Sequence, residues 1–180
     1  MLYSDQQLKT CCFFGHRKIV ETTLLREILF ETLTDLIVNH NVSVFLFGSR
    51  SKFNDLCHSV VSELKQKHSF IKRIYVRAEY PYISDEYERY LLQNYEATYF
   101  PEGLLNSHKA VYIERNFEMI DKSKFCIVYY DSEYTPLPRK SAIPVRKTKS
   151  GTATAYEYAR KRGMHIINVK NLSSQELTDK

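Results

Sequence analysis

The sequence predicts an α/β fold: an open parallel sheet of about five strands, covered by helices on both faces. Three observations carry this. Short apolar runs alternate with amphipathic segments along the 180 residues, the pattern of repeated strand–helix–strand units. Two of the runs end directly in glycine, at Gly15 and Gly48, as strand-to-helix turns do. A third glycine, Gly151, opens a helical segment after the last long loop.

Thr10 to Phe14 reads as a buried strand, rich in aromatic and small apolar side chains. Across residues 18 to 39, Leu24, Leu25, Ile28, Leu29, Leu33, Leu36 and Ile37 recur at offsets of three and four, marking an amphipathic helix. Val42 to Phe47 is a second strand. Leu56, Val60, Val61 and Leu64 mark a helix ending near Lys67, with Asn54 or Asp55 as its cap. Ile71 to Val76 is a third strand. Asp85 to Glu96 is a helix, with Asp85 and Glu88 as a capping pair. A helix over 109 to 122 and a strand from Phe125 to Tyr130 follow. The last long helix spans Gly151 to Arg162, with Gly163 placed to end it in a left-handed conformation. His165 to Val169 is the last strand, and a polar tail closes the chain. Each parallel crossover is expected to be right-handed.

The whole of 1–180 is expected to form one domain. Its length supports a core without disulfides or metal. The formal charge of +5 suits an anionic ligand as well as nucleic acid. Cys11, Cys12, Cys57 and Cys126 form no CxxC pair, and no histidine cluster has metal-ligand spacing. They read as reduced structural thiols of a cytoplasmic protein. No secretory leader stands at Met1–Gln7, and no run nears the roughly 20 residues of a membrane span. No metal or cofactor is expected. Asp131 to Ser150 lacks periodicity and holds Pro136, Pro138 and Pro144 beside Arg139, Lys140, Arg146, Lys147 and Lys149. It reads either as a basic lid or as a solvated excursion.

In such a sheet, turns at the carboxyl ends of strands converge where ligands bind. The candidate binding residues are therefore Gly15, His16 and Arg17 after the first strand, and Gly48, Ser49 and Arg50 after the second. Gly151 and Thr152 open a helix whose free N–H groups favour an anion, although Thr152 also serves as a plain cap. Arg115 shares a helix face with Met119 and reads as a further ligand contact; Asp131 lies just past a strand end. Asp131 and Glu157 are the carboxylates available for catalysis. Glu157 fits equally well as a surface partner of Lys161. The tyrosines from Tyr75 to Tyr99 read chiefly as core or interface packing, with stacking of one or two on a base as the lesser alternative.

Three segments resemble the YpsA-like branch of the SLOG superfamily. They are Cys-Cys-Phe-Phe-Gly-His-Arg at 11–17, Arg115-Asn-Phe-Glu-Met-Ile-Asp-Lys-Ser123 before an apolar strand, and Ser150-Gly-Thr leading into Ala155-x-x-Tyr158-Ala159. They occur in the family's order, from about residue 10 to 170. The resemblance implies a Rossmann-like domain of strand order 3-2-1-4-5 that binds a nucleotide or nucleotide-derived small molecule. It makes homo-oligomers an option. Its relatives include nucleoside 5′-monophosphate phosphoribohydrolases, sensors of nucleotide signals and a DNA-binding recombination mediator. The hydrolase branch carries Pro-Gly-Gly-x-Gly-Thr-x-x-Glu. Here Lys147-Thr-Lys-Ser150 precedes Gly151-Thr152, and Ala155 stands at the glutamate's position. The leading expectation is a ligand-binding module of the bacterial cytoplasm. A hydrolase of N-glycosidic bonds comes second. Nucleic-acid binding ranks last of the three functions and nucleic acid is not expected as a partner, because the basic residues are scattered and the sequence displays no aromatic platform.

Overall fold

A computed structural model describes residues 3–104, 110–134 and 150–175. The elements run α1 (Asp5–Leu8), β1 (Thr10–Gly15), α2 (Thr23–Val38), β2 (Val44–Phe47), α3 (Lys52–Lys67), β3 (Lys72–Val76), α4 (Asp85–Leu92), β4 (Ala97–Tyr99), α5 (Ala110–Asp121), β5 (Phe125–Tyr129), α6 (Gly151–Lys161), β6 (His165–Asn168) and α7 (Val169–Gln175). The strands form one sheet of order β4-β3-β2-β1-β5-β6, and every pairing is parallel. The expected order 3-2-1-4-5 is contained in it, with β4 added at the edge beyond β3.

Both faces of the sheet are covered, so the central strands are buried throughout, as parallel sheets require. Alternation of side chains sorts each strand between two cores. Cys11, Phe13, Phe45, Phe47, Phe125 and Ile127 point into one core with α2, α3 and Val169. Cys12, Phe14, Leu46, Cys126 and Val128 point into the other, against Met119 and Ile120 of α5 and Ala155 and Ala159 of α6. Phe13 stacks between Phe45 and Phe47, with ring centroids 6.0 and 4.8 Å away. All four cysteines are free and buried.

Three short elements escape the periodicity. Helix α1 is a single turn held by a Ser4–Gln7 capping box. Strand β4 is three residues long. Helix α7 lies in the segment read as polar tail, and its Val169 seals a core. Two helices are shorter than expected: α2 starts at Thr23 rather than at 18, and α4 ends at Leu92. The caps also differ. Ser51 caps α3, Ser84 caps α4 and Ser150 caps α6, each accepting from the amide three residues on. A serine hydroxyl on extended backbone reaches that amide more directly than the acids and Thr152 inside the helices do. Gly163 ends the α6 turn at φ 65°, as read from sequence. No helix among the described residues is long and apolar enough to cross a membrane.

Candidate functional site

Strand order reverses between β1 and β5, since β2 to β4 lie on one side of β1 and β6 lies beyond β5. The crevice at such a reversal, outside the carboxyl ends, is where doubly wound sheets take ligands. Four stretches reach this rim: the turns after β1, β2 and β5, and the start of α6.

On the β1 turn, Gly15 leaves room for α3. A β-carbon there would lie well inside contact distance of the Phe53 ring. The glycine thus serves packing between turn and helix. His16 is 3 % exposed. Its Nε2 accepts the Asp131 N–H at 3.1 Å, and its ring stacks on Tyr134 at 3.8 Å and 20°. It fastens β1 to β5 across the reversal point. Burial pushes its pKa below the ordinary 6.5, and the nearby Asp131 carboxylate acts in the opposite direction. A ring that accepts at Nε2 is neutral and carries its proton on Nδ1. Arg17 is exposed, and its carbonyl accepts from Lys52 N–H at 3.3 Å, joining the turn to α3.

Acid should therefore loosen this fastening. The folded pKa of His16 lies below the unfolded one, so the unfolded chain takes up the proton first as pH falls through 6.5. The associated stability is complete above that pH and declines below it. Thermal melts should show Tm falling between about pH 7 and pH 5. His16→Gln keeps an acceptor and should flatten the profile. The remainder belongs to His58, whose pKa burial also lowers. An identical profile in the variant would reject this account.

On the β2 turn, Gly48 is buried because Arg115 passes over it. A β-carbon at Gly48 would stand 2.5 Å from Arg115 Nη1. Arg115 belongs to the inward stripe of α5 with Val111 and Met119 and is 3 % exposed. Its Nη1 donates to the carbonyl of Gly48 and, at 3.1 Å, to that of Val76. Its Nε donates to Asn116 Oδ1 at 3.0 Å. The guanidinium is thus spent on the ends of β2 and β3. Burial lowers its pKa to about 10, and it remains a cation at neutral pH. Ser49 is half-buried on the same turn. Arg50 is exposed and donates to the Tyr87 hydroxyl at 3.2 Å.

After β5, the Asp131 carboxylate accepts the Glu133 N–H at 3.0 Å and pairs with Lys170 at 3.0 Å. Both bonds lower its pKa, the lysine first. It is a turn-former and ion-pair partner in this structure. At the α6 start, Ser150 Oγ accepts from Ala153 N–H at 3.1 Å. The amides of Gly151 and Thr152 have no hydrogen-bond partner among the described residues. No atom of the described residues lies within 4 Å of where a Gly151 side chain would project. Ala155 is packed in the core at 1 % exposure. Two residues turn a helix by about 200°, so Glu157 points away from that position.

The structure brings together His16 with Asp131, and Gly48 with Arg115. No bond among the described residues joins Gly151 or Thr152 to Arg17, Arg50 or Arg115. The basic positions 139–149 and Pro136, Pro138 and Pro144 lie outside the described residues. Sequence reasoning missed Ser150, Tyr134, Lys170 and Phe53. Only Ser150 carried a signal, a serine directly before a helix-opening Gly-Thr.

The tyrosine-rich stretch divides. Tyr75 and Tyr95 pack on one core and Tyr99 on the other. Tyr80, Tyr82 and Tyr90 are 63 %, 91 % and 60 % exposed. Sequence alone ranks packing ahead of base stacking for the whole stretch and does not say which rings stay open.

No protein-family model and no curated protein matches the chain. Among solved structures, DNA processing protein A (DprA) from Streptococcus pneumoniae aligns with a TM-score of 0.52 and 12 % identity, over 89 % of this chain and 50 % of that one. The chain therefore spans half the length of that protein. DprA from Helicobacter pylori, described for its single-stranded DNA binding mode, aligns with a TM-score of 0.46 and 14 % identity, over 98 % of this chain and 85 % of that one. The Streptococcus match agrees with the parallel Rossmann-like sheet. It also corrects the expectation against nucleic acid as a partner, since the fold is shared with a DNA processing protein.

Proposed function

We propose that this chain binds a nucleic-acid strand at the carboxyl rim of its sheet, taking a backbone phosphate on the amides that open α6. The observation that carries the reading is the Ser150 cap. It satisfies Ala153 and leaves the Gly151 and Thr152 amides without a hydrogen-bond partner among the described residues, at exposed Gly151 and buried Thr152 beside the strand-order reversal. Anions are favoured there by the unbonded N–H groups and the helix dipole together. Exposed Arg17 and Arg50 on neighbouring turns supply further positive charge. The fold shared with a DNA processing protein supports nucleic acid as the ligand class. The exposed tyrosines support a single strand, because only unstacked bases meet a ring.

The same amides would take the phosphate of a free nucleotide or a nucleotide-derived small molecule, and this is the second reading. It is the function expected of the YpsA-like branch of the SLOG superfamily. That placement, the treatment of residues 1–180 as one unit with a basic loop at 131–150, and a cytoplasmic setting suited to free buried cysteines belong to the proposal. Binding is preferred to hydrolysis because Asp131 is engaged by Lys170 and Ala155 carries no carboxylate.

The test is fluorescence anisotropy with a labelled single-stranded oligonucleotide across a salt series. Affinity should fall steeply with salt, and Arg17→Ala and Arg50→Ala should each reduce the logarithmic slope by about one. Absence of binding at low salt, or an affinity flat with salt, would overturn the reading. A mononucleotide that binds as tightly as the strand would transfer it to the small-molecule alternative.

A further inference from the structure

We propose that exposed Tyr80, Tyr82 and Tyr90, with Tyr87 stacked beside Tyr90, form a base-stacking surface that extends the rim and carries the strand beyond its phosphate site. This rests on the nucleic-acid reading above and names the surface that would meet the bases.

The rings are exposed on a firm support. Arg77 Nη1 donates to the carbonyls of Tyr80 and Pro81 at 3.2 and 3.1 Å, and Arg77 N–H donates to the Tyr99 carbonyl at 2.8 Å. The turn before α4 is thereby pinned to the end of the sheet. Ser84 caps α4 by accepting the Tyr87 N–H at 3.3 Å. On that helix Tyr87 and Tyr90 lie with ring centroids 6.1 Å apart and planes 13° from parallel. A run of stacked bases needs planes of nearly one orientation, and aromatic rings accept any base because every base has a π-face. Fixing the backbone of the turn and stacking Tyr90 on Tyr87 before binding also removes part of the ordering cost.

The surface is continuous with the rim. Arg50, on the β2 turn, bonds the Tyr87 hydroxyl. Other charges face this patch too. Glu79, Asp85, Glu86 and Glu88 are exposed around it, with Arg89 among them. These side chains make the patch net acidic, so its contribution is stacking alone, while the phosphates are held at the rim. Binding through the tyrosines should thus be nearly independent of salt, unlike binding through Arg17 and Arg50.

The experiment uses the full chain with a labelled oligothymidylate of about twelve nucleotides and, separately, thymidine monophosphate. Tyr82→Ala and Tyr90→Ala should each weaken the oligonucleotide by roughly tenfold, leave the salt slope unchanged and leave the mononucleotide unaffected. Tyr82→Phe should bind as wild type. The chain has no tryptophan, so tyrosine emission should be quenched by the oligonucleotide and less so in the variants. An oligonucleotide affinity unchanged in the Tyr80→Ala/Tyr82→Ala/Tyr90→Ala variant would overturn the stacking surface and leave the rim site standing. Wild-type protein that binds neither probe would overturn both. Oligolysine binding that is lost in the triple variant, with the oligonucleotide unaffected, would reassign the patch to a basic protein partner.

Discussion

Arg115→Met should lower the unfolding free energy by about 2–4 kcal/mol, because it strips donors from two buried carbonyls. The Gly48 and Val76 oxygens end β2 and β3, and Arg115 Nη1 serves both. Each buried acceptor left unpaired costs about 1–3 kcal/mol, and methionine fills the space without replacing a donor. Removing a buried cation works in the other direction. Arg115 has no carboxylate within ion-pair distance among the described residues, and burial lowers its pKa to about 10. This offset keeps the expected loss below the sum of two full penalties. For a chain of this length the change is a Tm drop of about 5–15 °C, measured by calorimetry or circular dichroism. Arg115→Lys should recover part of it, since an ammonium donates but lacks the planar reach of a guanidinium. Gly48→Ala supplies an independent check. Its β-carbon would meet Nη1 at 2.5 Å and Cζ at 2.8 Å, so it displaces the arginine by another route. The two substitutions should combine to less than their sum. Full additivity, or a Tm unchanged in Arg115→Met, would show that the strand ends do not depend on this arginine.

That fastening marks the limit of what the sequence makes legible. The central strands were readable because both faces of a parallel sheet are apolar: Thr10–Phe14 and Phe125–Tyr130 could be little else. Helices α2 and α3 were readable from their inward leucines and valines. Elements held by a few specific bonds were not. Strand β4 is three residues tied to β3 by Glu96, which takes the Arg73 side chain at 2.7 Å and its backbone N–H at 2.6 Å. No periodicity records such a contact. At the rim, the sequence put the right turns together but could not say which side chains are already engaged. His16, Arg115 and Asp131 look alike as polar residues near strand ends. Folding spends His16 and Arg115 on backbone groups, across separations of 115, 67 and 39 residues, and pairs the Asp131 carboxylate with Lys170. Arg17 and Arg50 stay exposed, Arg50 with one bond to Tyr87, and the Gly151 and Thr152 amides have no hydrogen-bond partner among the described residues. The tyrosines show the same limit from the other side: Tyr75 and Tyr82 have the same chemistry, and only the fold decides which one is covered.

Gly151→Asp separates ligand recognition from stability, and the two should move in opposite directions. Gly151 is the first residue of α6, and no atom of the described residues lies within 4 Å of where its β-carbon would stand. A side chain there disturbs no packing among the described residues. A carboxylate in the first turn of a helix interacts favourably with the dipole, by about 0.3–1 kcal/mol. Replacing glycine in a helix also removes its entropic disadvantage. The variant should therefore melt at the same temperature as wild type or a few degrees higher. The same carboxylate would occupy the space assigned to the phosphate and repel it. Two unit charges about 4 Å apart near a protein surface interact by roughly 4 kcal/mol. Even after screening, affinity for a single strand or a mononucleotide should fall by well over tenfold. Gly151→Ala, which adds bulk without charge, should lose far less. Anisotropy and a thermal melt on the same preparations decide the matter. If Gly151→Asp binds as wild type does, the phosphate does not rest on α6. If it melts well below wild type, the open geometry at Gly151 is wrong, and the binding result loses its meaning.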